Sequence, residues 1–222
     1  MIDTRQTLSR RYLAGQGIEI GALHQPLPVP DGASVTYVDR MDVTGLRKHY
    51  PELGKVDFKC DRVDDGEKLD TFADESLDFI VANHMLEHCE DPIGTVCNHL
   101  KRLRSGGCLY YAIPARQYGF DRERPLTQWE HLLSDNEHGA EASRWEHYLQ
   151  YATLVDARPS PEETLAYARH LMSHRYSIHF HVWDESTFGK FLRKLKKHLS
   201  GAFRVENFTA SGSEVIAILK KA

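Results

Sequence analysis

The sequence predicts an α/β fold with a mostly parallel sheet, a closing antiparallel strand pair and a helical insertion. Three observations carry this. Short apolar strand-like runs alternate with stretches at helical spacing. A strand, helix, strand crossover of the length found between Leu77 and Ile113 requires a parallel pair. Roughly seventy residues, 115–182, then intervene before the next regular element, far more than the ~2–6 residues of an ordinary connection.

Taken in order, Gly17 to Ile20 is a short apolar run ending at Gly21, and Ser34 to Val38 is a second ending at Asp39. Lys55 to Phe58 is a weaker strand candidate. Leu77 to Ala82 has the composition of a buried strand, and Cys108 to Ile113 is its parallel neighbour, ending at Pro114. Between them Asp91-Pro92 places a cap before a proline at the first helical position, and the helix should run to Arg104, where Ser105-Gly106-Gly107 supplies a left-handed stop. Within 115–182 three helix starts have capping-box form: Thr127 with Glu130, Ser143 with Glu146, and Ser160 with Glu163. The segment reads as a helical insertion above the carboxyl edge of the sheet, an acceptor-binding lid within one domain spanning 1–222. After it, Phe188, Phe191, Leu192, Leu195 and Leu199 form one apolar helical stripe, with Lys190, Arg193, Lys194, Lys196 and Lys197 projecting elsewhere. Phe203 to Phe208 and Glu214 to Leu219, joined around Ala210-Ser211-Gly212, form the closing pair.

Composition narrows the class. The 222 residues carry 28 Lys plus Arg against 32 Asp plus Glu, a net charge of −4, which gives no global pull on nucleic acid. No apolar run approaches the ~20 residues of a spanning helix, and the N-terminal stretch, with Arg5, Arg10 and Arg11, lacks a secretory apolar core. Cys60, Cys89, Cys97 and Cys108 form no CxxC pair, a reduced-compartment pattern. A cytoplasmic location is expected. The 13 histidines are in excess.

In an open α/β sheet, ligands bind at the carboxyl ends of the strands near the switch in strand order. The residues there are Gly21, Ala22, Leu23 and His24 after the first strand, Asp39 and Arg40 after the second, Asn83 and His84 after the fourth, and Pro114 and Arg116 after the fifth. An acidic residue about twenty positions beyond a strand-end turn, as Asp39 stands to Glu19, suits the paired ribose hydroxyls of an adenosine-containing ligand. It also suits a plain strand end, where aspartate is common.

Glu19-Ile20-Gly21 followed by Asp39, then LDFIVANHMLEHCEDPIG and LKRLRSGGCLYYAIP, resembles the class I S-adenosylmethionine-dependent methyltransferases of the type 11 group. The resemblance covers about residues 15 to 115 and the terminal helix and strand pair. EIGALHQPLPVP further resembles a subset associated with bacterial surface-polysaccharide gene clusters. The resemblance implies a Rossmann-like, seven-stranded fold and S-adenosylmethionine as cofactor. It places Glu19 near the methionine amino group, Gly21 with Ala22 and Leu23 at the cofactor backbone, and Asp39 on the ribose with Arg40 flanking the adenine. Asp64 or Asp65 would reach the adenine amino group, and Asn83 and His84 would lie beside the methionine portion. One position departs from the pattern: Leu23 stands where the family has a second glycine.

The implied reaction is methyl transfer to a small-molecule or glycan hydroxyl, which needs a general base within hydrogen-bond reach. The candidates are His84 and, in the insertion, His179 and His181, which flank Phe180 and would share one strand face. His88 reads either as a site residue or as a group orienting a neighbouring loop. Arg116, Arg122 and His131 are candidate acceptor contacts; Trp129 and Trp145 suit either an acceptor or anchorage of the insertion. An HxH pair can also be half a metal site, but no carboxylate accompanies it at ligand spacing, so no metal is assigned. Two rival readings remain: a binding module that has lost catalysis, motivated by Leu23, and a metal-assisted enzyme using His179 and His181. The basic helix face, Lys190, Arg193, Lys194 and Lys197, is a solvated surface or a weak contact for an anionic surface. His49, His99 and His198 have no site attached.

Overall fold

A computed structural model describes residues 4–222. Helix α1 (Thr4–Tyr12) leads into strands β1 (Gly15–Ile20) and β2 (Ala33–Asp39), helix α2 (Val43–His49) and a two-residue strand β3 (Arg62–Val63). Strand β4 (Leu77–Asn83), helix α3 (Pro92–Arg102) and strand β5 (Leu103–Pro114) follow. Helices α4 (Trp129–His138), α5 (Glu141–Leu154) and α6 (Pro161–Ser173) come next, then helix α7 (Glu185–His198) and strands β6 (Phe203–Ser211) and β7 (Glu214–Lys221).

Among the described residues the strands form one seven-stranded sheet in the order β3-β2-β1-β4-β5-β7-β6. All pairs from β3 to β5 are parallel, and β7 runs antiparallel to both neighbours. This is the expected Rossmann-like architecture. The central strands read as continuous apolar runs because both sheet faces are covered. Ile80, Ala82, Leu109, Tyr111 and Ala217 pack with α3 and α7, while Phe79, Val81, Tyr110 and Ile218 pack with Leu8, Leu13 and Leu27. From β1 the chain winds outward through β2 and β3, then returns to lay β4 on the other side. That reversal opens a crevice at the carboxyl ends of β1 and β4.

Some boundaries differ from the sequence expectation. Lys55–Phe58 is a loop; Val56 is exposed, and the outermost strand is Arg62–Val63. A loop with nothing to bury has no partner surface to hold it as a strand. Helix α3 stops at Arg102 and β5 begins at once, so Ser105-Gly106-Gly107 lies in a bulge where the pairing jumps from Leu77↔Leu103 to Phe79↔Cys108. Gly107 is required there: a Cβ would stand 3.0 Å from the carbonyl oxygens of both Arg104 and Asp78.

Residues 115–182 are mainly helical, as expected. Their two ends meet in a parallel bridge, Ala115↔Trp183. Tyr148, Leu171, Ile178 and Phe180 form a small apolar cluster of their own. Ser160 caps α6 through the Glu163 N–H at 3.2 Å. That is half of the expected box, and Thr127 and Ser143 cap no helix. Thr127 Oγ1 instead accepts from the Val182 N–H at 2.9 Å, and Ser143 Oγ donates to Asp135 at 2.8 Å. Both hydroxyls are drawn into bonds between elements: Thr127 to the segment that returns from the insertion, Ser143 from α5 back to α4. Asp184 and Thr187 form a capping box at the start of α7, whose Phe188, Phe191, Leu192 and Leu195 are buried.

Candidate active site

A cavity of about 700 Å³ opens at the crevice. Its polar wall comes from three strand ends. Glu19 is buried, and its two carboxylate oxygens both accept from the Leu27 N–H at 3.0 Å. Burial pushes its carboxyl up to about 7, against the Leu27 bond and Asn83. Asn83 Nδ2 reaches Glu19 Oε1 at 3.5 Å, while Asn83 Oδ1 is buried without a partner among the described residues. Asp39 accepts from the Arg40 N–H at 2.7 Å, and burial raises its carboxyl.

The turn after β1 is shaped by backbone. Gly21 has φ 67°, and no atom lies within 4 Å of the place a Cβ would take, so the peptide edge faces open space. Leu23 adopts φ 47°, the left-handed conformation a glycine would take freely. The turn therefore keeps its shape although the second glycine is missing.

His84 also has a left-handed backbone, φ 50°, which turns its ring away from the line of β4. Its Nε2 lies 3.0 Å from Glu214 Oε2, and its Nδ1 lies 3.5 Å from Glu87 Oε1. Glu214 is in turn bonded by the Arg5 guanidinium. Hydrogen bonds from Arg5 and His84 hold the Glu214 carboxyl down to about 2, overcoming its desolvation. His84 thus stands on the cavity beside a carboxylate that Arg5 also holds.

The other expected site residues divide. Asp65 lines the cavity. Asp64 does not: its carboxylate accepts from the Thr71 N–H at 2.9 Å, the Thr71 hydroxyl at 2.6 Å and the Asp65 N–H at 2.8 Å, so it organises its loop. Arg116 donates to the Arg124 carbonyl at 2.9 Å and Arg122 is exposed, both outside the cavity. His131 lines a separate cavity of about 230 Å³. His179 and His181 do not act as one pair, because residues 175–182 are irregular and the two rings diverge. His179 Nδ1 bonds Asp121 Oδ2 at 2.6 Å. His181 is buried among His131, His147 and Trp183. Phe180, between them, packs on Tyr148. His88 does orient a loop, through the Ile178 carbonyl at 2.9 Å, and it also lines the cavity. Trp129 packs on Phe191, anchoring the insertion.

Several residues on the cavity or packed behind its wall carried no usable sequence signal. His49 and Tyr50 come from the end of α2, and Arg40 reaches His49 at 2.8 Å. Tyr176 and Ser177 come from the returning loop of the insertion. Arg5 and Glu214 are 209 positions apart in the chain. Glu87 hides within the Leu-Glu-His turn, where helical spacing makes a glutamate look solvent-facing; it is 1% exposed.

The methyltransferase domain family matches residues 14–195 of this chain. Among solved structures, the PH0226 protein of Pyrococcus horikoshii is 14% identical with a TM-score of 0.55, covering 100% of this chain and 89% of that one. A putative zinc-dependent alcohol dehydrogenase from Rhodobacter sphaeroides is 13% identical with a TM-score of 0.54, covering 99% and 90%. A SAM-dependent methyltransferase from Aquifex aeolicus is 12% identical with a TM-score of 0.48, covering 94% and 82%. At such identities the first two structures establish a shared fold and nothing more. No curated protein matches the sequence.

Proposed function

The chain belongs to the methyltransferase domain family and uses S-adenosylmethionine, and we propose that it methylates a hydroxyl of a small-molecule or glycan acceptor with His84 as general base. The single observation behind this reading is the ring of His84, set between Glu214 and Glu87 on the wall that also presents Glu19 and Asn83.

The residues fit the cofactor. A buried carboxylate with no cationic partner at bonding distance among the described residues, Glu19, suits an ammonium group. Asp39, at the end of β2, suits a pair of ribose hydroxyls. The unpartnered Asn83 Oδ1 can accept one further donor. When bound, S-adenosylmethionine supplies a methyl group already activated on its sulfonium.

The chain then has two tasks, alignment and proton removal. His84 takes the acceptor proton on the ring nitrogen not engaged by Glu214, and the carboxylates of Glu214 and Glu87 stabilise the imidazolium that results. Tyr176 and Ser177, from the insertion, border the same cavity. This supports an acceptor-covering role for 115–182. The glycan acceptor and the surface-polysaccharide setting rest on the EIGALHQPLPVP resemblance. A cytoplasmic setting rests on the sequence; among the described residues no helix is long and apolar enough to cross a membrane.

Two measurements test this. Calorimetric titration should show binding of S-adenosylmethionine, and no binding at high micromolar cofactor rejects the cofactor assignment. Acceptor screening with methyl-labelled cofactor should place the label on oxygen, with His84→Ala slower by about 10²–10⁴-fold at nearly unchanged cofactor affinity. Label confined to nitrogen or carbon, or an undiminished rate, rejects the base.

A further inference from the structure

We propose that Glu87, His88 and His179 form a binding site for a divalent transition-metal ion beside the cavity, bordering it at His88. One potential ligand atom from each side chain lies within 4.8 Å of the other two. Glu87 and His88 come from the short turn Leu86–His88 after β4, and His179 from the segment returning out of the insertion. The site would join two segments about ninety positions apart.

Glu87 is the first argument. Its side chain is 1% exposed, and neither carboxylate oxygen has a hydrogen-bond partner among the described residues. The nearest imidazole nitrogens stand at 3.5 Å (His84) and 4.0 Å (His179), beyond bonding distance. A buried carboxylate so placed is costly unless a proton or a cation compensates it.

The imidazoles are the second. His179 Nδ1 faces the Asp121 carboxylate at 2.6 Å, and His88 Nδ1 faces the Ile178 carbonyl at 2.9 Å. Carboxylate and carbonyl oxygens only accept, so each Nδ1 carries a proton, and in the neutral ring Nε2 is the nitrogen left to bind a metal. Ring nitrogens fixed in this way by an outer carboxylate and an outer carbonyl are the usual support of metal-bound histidines. Asp121 is itself held by Arg124 at 2.8 Å. Two imidazoles and one carboxylate suit zinc or ferrous-type ions and leave coordination positions open.

His88 lines the cavity as His84 does, and His84 Nδ1 lies 3.5 Å from Glu87 Oε1, so the site adjoins the base. Resting on the hydroxyl-methylation reading, the ion would bind the acceptor oxygen and ease loss of its proton to His84. The cluster His131, His147 and His181 is the natural comparison. There His131 Nε2 already contacts His147 Nε2 at 2.9 Å and Asp135 at 3.1 Å.

The test needs neither acceptor nor S-adenosylmethionine, so it can fail independently of the proposed reaction. The full chain is stripped with chelator and titrated with cobalt(II), followed by visible absorption, and with zinc, followed by calorimetry and by thermal shift. The expected result is one equivalent bound, with a metal-dependent rise in melting temperature. Glu87→Gln and His179→Gln should lose about a hundredfold or more in affinity, and Asp121→Asn, acting through His179, about tenfold. His147→Gln should bind as wild type, and circular dichroism checks that each variant is folded. No uptake by the wild type, unchanged affinity in folded Glu87→Gln, or loss in His147→Gln alone overturns the site.

Discussion

The strand-end wall and the insertion hold their polar groups by different means. On the wall, position is set by the sheet: the pairings Glu19↔Tyr37 and Glu19↔Val81 fix where the Glu19 side chain leaves the strand, whatever surrounds it. In the insertion, polar groups are held by one another. Arg124 is fully buried and donates to Asp121, Gln150 and the carbonyls of His179 and Phe180. A change on the wall should therefore cost binding, and a change in the insertion should cost the fold.

Arg124→Met puts the largest strain on that contrast. It leaves the buried Asp121 carboxylate with His179 as its one side-chain partner among the described residues and takes the donor from two carbonyls, and the loss should be about 3–5 kcal/mol in urea unfolding. A loss under about 1 kcal/mol would mean that the insertion tolerates single losses as a strand end does.

Glu19 tests the other side through pH. Burial lifts its carboxyl from 4.5 to about 7, so the folded chain keeps a proton that the unfolded chain releases first. Its contribution to stability is fully present below 4.5 and is lost as pH rises through about 7. The swing is on the order of 3 kcal/mol. Glu19→Gln should match wild type at acid pH and exceed it in melting temperature above neutrality, while binding S-adenosylmethionine more weakly. Parallel pH profiles for the two proteins would show that Glu19 is already compensated by its own neighbours.

Asp39 and Asp64 give a smaller and sharper contrast. Asp39→Ala should weaken S-adenosylmethionine by at least about tenfold, near 1.4 kcal/mol, with little effect on folding. Asp64→Ala should do the reverse, since its carboxylate serves Thr71 and the loop backbone and each such bond is worth about 1 kcal/mol. Calorimetry paired with denaturation separates the two.

These contrasts mirror what the sequence discloses. Apolar runs and the strand, helix, strand crossover reveal the central sheet because burial on both faces leaves a local pattern. Strand ends follow from it, so Glu19, Gly21, Asp39, Asn83 and His84 are all found on the cavity. Arg5 and Glu214 are invisible because their partnership depends on α1 crossing to the start of β7. Thr127 and Ser143 mislead because a capping hydroxyl and a tertiary hydrogen bond draw on the same side chain. His179 and His181 mislead because alternation predicts a shared face only on a strand, and residues 175–182 are irregular.

Leu23 is the subtlest case, since the sequence flags it as a departure and the backbone hides the departure. At φ 47° its Cβ crowds the following peptide, at a cost of about 1–2 kcal/mol. Glycine would relieve that cost while adding about 0.5–1 kcal/mol of chain entropy to the unfolded state. The two effects nearly offset, so Leu23→Gly should shift stability by less than about 1 kcal/mol and leave S-adenosylmethionine affinity within about threefold. A tightening well beyond that would identify the Leu23 side chain, which lines the cavity, as an obstruction in the cleft. It would then limit cofactor binding by bulk, with the turn itself already in the shape the cofactor requires.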